Sequence, residues 1–405
     1  MSLPLPQFGN PIIKEFAQNP DELNTNALIE VFKSSQINIF DIAELAQTLA
    51  GSGQIIKFDK NQEIFDLPST GGPGSLSTLL TPLILTALGK KVFKLGVPGR
   101  PAGGIDCLAQ IKKYNIEPSL NELNTWLNKS FYIHIIASNI FAPLDSKLFT
   151  YRKETNNLSV PNLVIASILA KKLVLGVSHV GLDVRVSEFS NFGATWSEAR
   201  ANCQLFNKVA NLIGIKSKCF ITNGFILQQP YLGRGEALLA LDKIFNGLEC
   251  KLLRNHFYKC YSMAISLTKR KKDSDTVSKE NYKNAFISNL KLQGSSYSDF
   301  KDVVQNIENK HIHYIQASNK GFLSINLRKI RSAIITIQNE LKNVKFPDPC
   351  GVMLKKNSQD YVEKGEPICS FRCDSFLLDK FQPTLSECFA IKPYISQKYD
   401  FEEVS

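Results

Sequence analysis

The sequence predicts an α/β fold with a mostly parallel sheet and a β-rich C-terminal module. Residues 63–95 read as strand, glycine-rich turn, helix and strand, and such a βαβ unit implies parallel pairing. Strands and helices keep alternating to about residue 250. Beyond about residue 310 the texture changes to short alternating segments between turns, the pattern of a small β unit.

Taken in order, residues 20–50 are helical: Leu28, Ile29, Val31 and Phe32, then Ile42, Leu45, Ala46 and Leu49, recur at three-to-four spacing, and Gly51-Ser52-Gly53 ends the run. A strand at 63–67 leads into Ser69-Thr70-Gly71-Gly72-Pro73-Gly74-Ser75. A helix over 76–88 stops at Gly89, and a strand follows at 91–95. A second glycine/proline turn covers 96–104. Further strands are expected at 130–138, 177–186 and 218–223, with helices at 145–154, 162–172, 197–213 and 236–246. Residues 268–282 are polar and charged, which reads as a loop or linker. The C-terminal strands fall at 313–317, 351–354, 361–362 and 368–371, with one helix at 327–341. No tandem repeat is present.

The chain has 405 residues, enough for two or three domains at ~150 residues each. Hydrophobic residues are 43% and charged residues 21%, which excludes a disordered, collagen-like or disulfide-scaffold protein. Lys and Arg number 48 against 37 acidic residues, a net charge of +11. That excess suits nucleic acid, an anionic small substrate or plain solubility, and does not choose among them. The Lys269-Arg270-Lys271-Lys272 run lacks interleaved aromatics, so it reads as solvated surface rather than a nucleic-acid patch. The nine cysteines form no C-x-x-C pair and the five histidines no ligand cluster, so neither a zinc site nor any other metal is expected. The start lacks a basic segment followed by an apolar core, and apolar runs such as 79–88 fall short of ~20 residues. The expectation is a cytoplasmic protein that binds neither membrane nor nucleic acid.

Two motifs carry chemistry. In the turn at 69–75, glycines let the backbone approach an anion, while the hydroxyls of Ser69 and Thr70 and the following helix N-terminus supply donors. It has no Walker lysine and is not G-x-G-x-x-G, so alone it reads first as a tight βα turn. In the second motif, Ser167 and Lys171 stand four apart on a helix and share a face, fifteen residues beyond Arg152. A guanidinium, a hydroxyl and an ammonium converging suit a planar ligand with carbonyl oxygens. By spacing alone, solvated lysines on a helix are the better reading.

Together these stretches resemble the thymidine phosphorylase and pyrimidine-nucleoside phosphorylase family, including its AMP phosphorylase branch. The family's "STGGxG" turn matches 69–74, and its "APxD-K-L-R" and "ASILxKK-G" blocks match 142–176. The "PAG-x-x-D" turn of the monophosphate branch matches 101–106, and "VEKGEP" matches 362–367. The resemblance covers nearly the whole chain. It implies a helical domain of 1–62 plus 145–173, an α/β phosphate-binding domain of 63–144 plus 174–310, and a C-terminal α+β module of 311–405. It implies a cleft site, a homodimer, and reversible phosphorolysis of the N-glycosidic bond of a pyrimidine nucleoside or nucleotide. No cofactor is implied beyond inorganic phosphate as co-substrate. Arg152, Ser167 and Lys171 would then hold the base edge and act in catalysis, a cation beside the leaving base stabilising its developing charge.

The phosphate site departs from the family. Its Lys-His pair before "STGG" is Leu67-Pro68 here. Ser69, Thr70 and Gly72 remain, and a helix serine appears as Thr78. A further phosphate serine aligns with Lys94, the threonine after "PAG" with Gly104, and the "GSGAFM" loop with 187–192, which includes Glu188. Each lost charge-assisted hydrogen bond is worth ~1.5–3 kcal/mol. Lys94 is the candidate compensating cation, with Arg100 second. The helical domain is also short of a helix that the family uses in its dimer interface. Two functions follow as expectations: a pentosyltransferase using phosphate or another acceptor such as water, or a catalytically impaired homologue that binds a nucleoside or base as sensor or partner.

Overall fold

The computed structural model describes residues 9–34, 36–58, 62–72, 74–99, 101–187, 190–268 and 277–393. Pro73, Arg100, Glu188 and the basic run at 269–272 lie outside the described residues.

Three capped helices open the chain. Asn10 caps α1 (Pro11–Gln18), Asp21 caps α2 (Glu22–Lys33), and an Asn38/Asp41 capping box starts α3 (Ile39–Gly51). The helical run expected at 20–50 is therefore two helices, broken where Ser34 and Asn38 take extended backbone. The α/β part follows as β1 (Ile64–Asp66), α4 (Ser77–Ala87), β2 (Lys91–Gly96), α5 (Gly104–Leu108), α6 (Leu120–Ser130) and β3 (Tyr132–Ile136). Then come α7 (Pro143–Glu154), α8 (Pro161–Val174), β4 (His179–Val186), α9 (Trp196–Leu212) and β5 (Lys216–Asn223). Proline opens both α7 and α8, where its missing N–H costs nothing.

The five strands β3-β2-β1-β4-β5 form one parallel sheet. The chain leaves β1 towards β2 and β3 on one side and later returns to β4 on the other. The order thus reverses at β1, and crevices at the carboxyl ends of such strands are where open α/β sheets bind ligands. One sheet face shares a core with α1–α3 and α7–α9, including Phe16, Phe32, Leu163 and Phe206. The other face packs on α4 and on helices that follow β6 (Tyr231–Leu232): α10 (Arg234–Asn246), α11 (Lys251–Thr268), α12 (Lys279–Leu292) and α13 (Tyr297–Glu308).

A third core belongs to the C-terminal segment. It contains β7 (His313–Gln316), β8 (Gly321–Ile325), α14 (Leu327–Glu340), β9 (Cys350–Leu354), β10 (Tyr361–Val362), β11 (Pro367–Cys373), α15 (Leu378–Ser386) and β12 (Phe389–Lys392). Its strands pair antiparallel in orders β10-β8-β12 and β6-β9-β11-β7, so β6 joins the α/β part to this unit. Among the described residues no helix is long and apolar enough to cross a membrane, and no group of three or more His, Cys, Asp or Glu could hold a metal ion. His311 and His313 meet edge to face at 4.5 Å between ring centres.

A buried ion cluster fastens the C-terminal unit to α10. Arg372 donates to Glu236 Oε1 at 2.6 Å and Oε2 at 2.9 Å, and to Asp348 Oδ2 at 2.7 Å. Removing one member leaves buried charges unpaired, which costs about 3–5 kcal/mol. Arg372→Ala should therefore lower unfolding stability by about that amount in urea titrations, whereas replacing the exposed Lys345 of a surface pair should change it by less than about 1 kcal/mol.

Candidate active site

A cavity of about 240 Å³ opens at the carboxyl ends of β1 and β2. Its lining includes the turn between β1 and α4, the turn between β2 and α5, helices α7 and α8, the segment around β6, and Ile330, Arg331 and Ile334 of α14.

One wall carries Arg152, Ser167 and Lys171. The last two are a helical turn apart on α8, and the Lys171 ammonium donates to Ser167 Oγ at 3.0 Å and Ser167 O at 3.1 Å. It also pairs with Asp145 Oδ2, from the first turn of α7. The second Asp145 oxygen is buried and accepts no bond from the described residues. Arg152 is 2% exposed and is folded into the loop that follows its own helix. Its Nε donates to Asn157 O at 3.1 Å and its Nη2 to Leu158 O at 3.0 Å. Asn156 makes that loop turn by taking φ +57°, a conformation asparagine tolerates. Burial lowers the Arg152 pKa to about 10, with Asp145 opposing the shift, so the guanidinium stays charged at neutral pH.

The opposite wall is the glycine-rich turn. Gly71, Gly72 and Gly74 have φ of +99°, +121° and +68°, which side chains rarely adopt. The Ser69 hydroxyl oxygen accepts from Gly71 N–H at 3.2 Å, and Thr70 Oγ1 accepts from Arg185 N–H at 3.0 Å. The N-cap residue of α4, Leu76, offers no side-chain acceptor, and Thr78 in its first turn lines the cavity. Leu67 is fully buried, and Pro68 faces the cavity without adding a donor.

The floor between these walls is ionic. The Asp66 carboxylate, at the end of β1, accepts Lys94 of β2 at 2.5 Å through one oxygen and Lys172 of α8 through the other. Lys94 also donates to Leu67 O at 3.1 Å. Burial alone would raise the Asp66 pKa, but Lys172 and Lys94 hold it below the usual carboxylate value. Burial lowers that of Lys94, against the pull of Asp66. Two cations on one carboxylate leave this buried floor with one unbalanced positive charge.

The sequence motifs thus place Arg152, Ser167, Lys171, Ser69, Thr70, Gly72, Thr78 and Lys94 around one cavity. Sequence reading did not single out Asp66, Lys172 or Asp145 as site residues. The Asp66 signal was present, since an acidic residue closing a fully buried strand must find a cation. His134 lies beside Lys94 in the sheet register, with its Nδ1 3.0 Å from the Tyr132 hydroxyl. Its ring is seated against Gly96 and Gly104: a Cβ on Gly104 would fall 2.6 Å from His134 Cε1. Asn191, from the loop after β4, also lines the cavity, and its Oδ1 is buried with no donor among the described residues.

Two buried histidines set a pH limit. His134 and His256, which accepts the Leu76 N–H at 2.9 Å, are both lowered to about 3 by burial, helped by Lys94 and Arg185 respectively. In the unfolded chain each takes a proton near pH 6.5. Between those values the unfolded state binds more protons, so stability falls as pH drops, by about 1.4 kcal/mol per pH unit for each group. Urea titrations at pH 6.5 and 5 should show the fall, and His256→Gln should reduce its slope by about 1.4 kcal/mol per unit.

No family profile matches the chain. Curated proteins do. Pyrimidine-nucleoside phosphorylase from Geobacillus stearothermophilus is 25% identical over 372 residues, 87% of this chain and 84% of that protein. Its namesake from Bacillus subtilis is 25% identical over 343 residues, 80% and 78%. Human thymidine phosphorylase is 28% identical over 228 residues, 53% and 46%. Among solved structures, anthranilate phosphoribosyltransferase from Thermus thermophilus aligns with 73% of this chain and 99% of its own at a TM-score of 0.47 and 13% identity. By sequence, the chain is a divergent relative of the pyrimidine-nucleoside phosphorylases over most of its length and of thymidine phosphorylase over about half of it.

Proposed function

We propose that this protein is a pentosyltransferase of the nucleoside-phosphorylase type, cleaving the N-glycosidic bond of a pyrimidine nucleoside or nucleotide with phosphate or another acceptor. The carrying observation is one cavity with Arg152, Ser167 and Lys171 on one wall and a hydroxyl-rich glycine turn on the other. A nucleoside spans that gap in the order the chemistry needs. Its base meets the guanidinium, hydroxyl and ammonium, its anomeric carbon lies between, and the acceptor sits on Ser69, Thr70, Gly72 and Thr78. As the bond breaks, negative charge grows on the base, and the two cations stabilise it. Lys171 is the group left to deliver a proton, because His134 is held neutral far from its ordinary range.

The acceptor's charge is met by the floor. Lys94 and Lys172 share Asp66, so the excess positive charge belongs to the cluster rather than to Lys94 alone. Lys94→Ala would remove that excess yet leave Asp66 paired with Lys172. It should raise the phosphate KM by tenfold or more, roughly the value of one charge-assisted bond. Unchanged phosphate dependence would remove Lys94 from the site.

The second reading is a protein that binds a nucleoside or base without turning it over. It is favoured by Leu67 and Pro68, which put no cation or imidazole at the start of the turn, and by the engagement of Lys94 with Asp66 and Leu67 O. Incubation with thymidine, uridine, deoxyuridine and CMP, with and without phosphate, separates the readings by chromatography of free base. Release only with phosphate is the expected result, and release without it points to water as acceptor. Binding by calorimetry with no release supports the second reading. In an active protein, Arg152→Ala should cut kcat/KM by about a hundredfold or more.

A further inference from the structure

The glycine-rich turn is braced from outside. Arg185, at the end of β4, donates through Nη2 to Ser75 Oγ at 2.5 Å. The Ser75 hydroxyl donates to Ser77 Oγ at 3.1 Å, and the Ser77 hydroxyl donates to Asp183 Oδ2 at 2.8 Å. Asp183 Oδ2 accepts the same Arg185 Nη2 at 2.7 Å, so the bonds close into a ring. Arg185 Nε lies 3.0 Å from both carboxylate oxygens, and Thr222 donates to Oδ1 at 3.0 Å. Backbone bonds hold the other half of the turn: Asp183 N–H to Pro68 O at 2.9 Å, Thr70 N–H to Asp183 O at 3.0 Å, and Arg185 N–H to Thr70 Oγ1. Gly72 lies directly on the arginine stem, where a Cβ would come 3.7 Å from Arg185 Cγ.

The ring fixes which way each hydroxyl points. A carboxylate only accepts, so the Ser77 proton is committed to Asp183 and the Ser75 proton to Ser77. Both serines line the cavity, yet neither has a proton to give into it. Ser69 and Thr70 are in the opposite condition. Their oxygens accept backbone N–H groups, which leaves their protons to donate into the cavity that Thr78 also lines.

We propose that Asp183 and Arg185 are positioning residues that set the turn so that Ser69, Thr70 and Thr78 present their hydroxyl protons to a tetrahedral oxyanion. The inference rests on reading this cavity as the nucleoside and acceptor site. The pair acts through Ser75, Ser77 and the backbone of Thr70, and does not touch the anion. Arginine is the residue for the task, because its planar fork grips a carboxylate and reaches a third acceptor at once, which a lysine point charge does not.

The test is calorimetric titration of inorganic phosphate and, separately, of uridine on the wild-type chain, Ser75→Ala, Arg185→Ala and Arg185→Lys. The expected result is a loss of phosphate affinity of roughly tenfold or more in Ser75→Ala and Arg185→Ala, a smaller loss in Arg185→Lys, and uridine affinity within about twofold throughout. Ser75→Ala opens the ring with the ion pair intact, so the test stands even where Arg185→Ala does not fold. Phosphate affinity unchanged in Ser75→Ala overturns the proposal, and so does an equal loss for phosphate and uridine. Absence of base release by the wild-type chain would count against the pentosyltransferase reading, and the phosphate titrations are read independently of it.

Discussion

The carboxylate of Asp66 ties together parts of the chain that are far apart in sequence. It closes a strand of three residues that is buried on both faces, and its oxygens draw in Lys94 from the neighbouring strand and Lys172 from α8. A buried ion this deep persists only when it is paired, so β1, β2 and α8 cannot separate without exposing a charge to an apolar interior. Because Asp66 immediately precedes the residues that turn into the glycine loop, the same pairing fixes where the loop starts. Because Lys172 follows Lys171 on one helix, it also fixes the face on which Ser167 and Lys171 look at that loop. The two walls of the cavity are thus referenced to one atom group.

Much of this was legible in the sequence for reasons that can be stated. The βαβ order, the glycines and the spacing of Ser167 and Lys171 are local signals, and most strands and helices of 63–250 follow from local apolar periodicity, though α5, α6 and β6 were not expected. What escaped was of two kinds. Helices α11–α13 carry many Asn, Lys and Ser residues and show their apolar stripe only once α4 and α10 are there to receive it. Strands β8 and β12 are short and pair with each other across more than sixty residues, so no local pattern marks them as partners. In the site, Arg152, Ser167 and Lys171 were visible as types, but the partners Asn157 and Leu158 were not, because a hydrogen-bond acceptor supplied by a backbone carbonyl leaves no trace in residue identity, and the pairing of Asp145 with Lys171 depends on how α7 and α8 pack. The engagement of Lys94 belongs to the same class. Its position at the cavity was expected, and its commitment to Asp66 depends on three-dimensional proximity.

The C-terminal unit has a share in the cavity, and two of the residues that provide it, Ile330 and Ile334, also belong to its own core. Ile330, Arg331 and Ile334 of α14 line the cavity, while Gln338 on the same helix donates to Pro101 O at 3.2 Å. Arg234 holds the base of that contact by pairing with Asp106 and donating to Pro347 O. The second glycine turn is therefore held from the C-terminal side as the first is held from β4. Each turn is shaped by residues outside it, which is what a loop with so little side chain of its own demands.

Gly104 and His134 show how this bracing changes what the cavity offers. Gly104 stands where the resemblance leads one to expect a threonine. A Cβ on Gly104 would lie 2.6 Å from His134 Cε1 and 3.3 Å from Thr78 Oγ1. With the imidazole in place, a side chain at 104 would collide with it, so the glycine and the seat of the ring depend on each other. Burial keeps that ring neutral near pH 7. Its Nδ1 is engaged with Tyr132, its backbone N–H with Gln293, and its neighbour Lys94 disfavours a second positive charge. This stretch of wall therefore supplies shape rather than charge, and the positive potential concentrates on the adjoining Lys94–Asp66–Lys172 floor and the Arg152–Lys171 wall. On the proposed reading, an anionic acceptor would be drawn to the floor and charge on a leaving base would be met at the Arg152–Lys171 wall, the polarity that a displacement at the carbon between them requires.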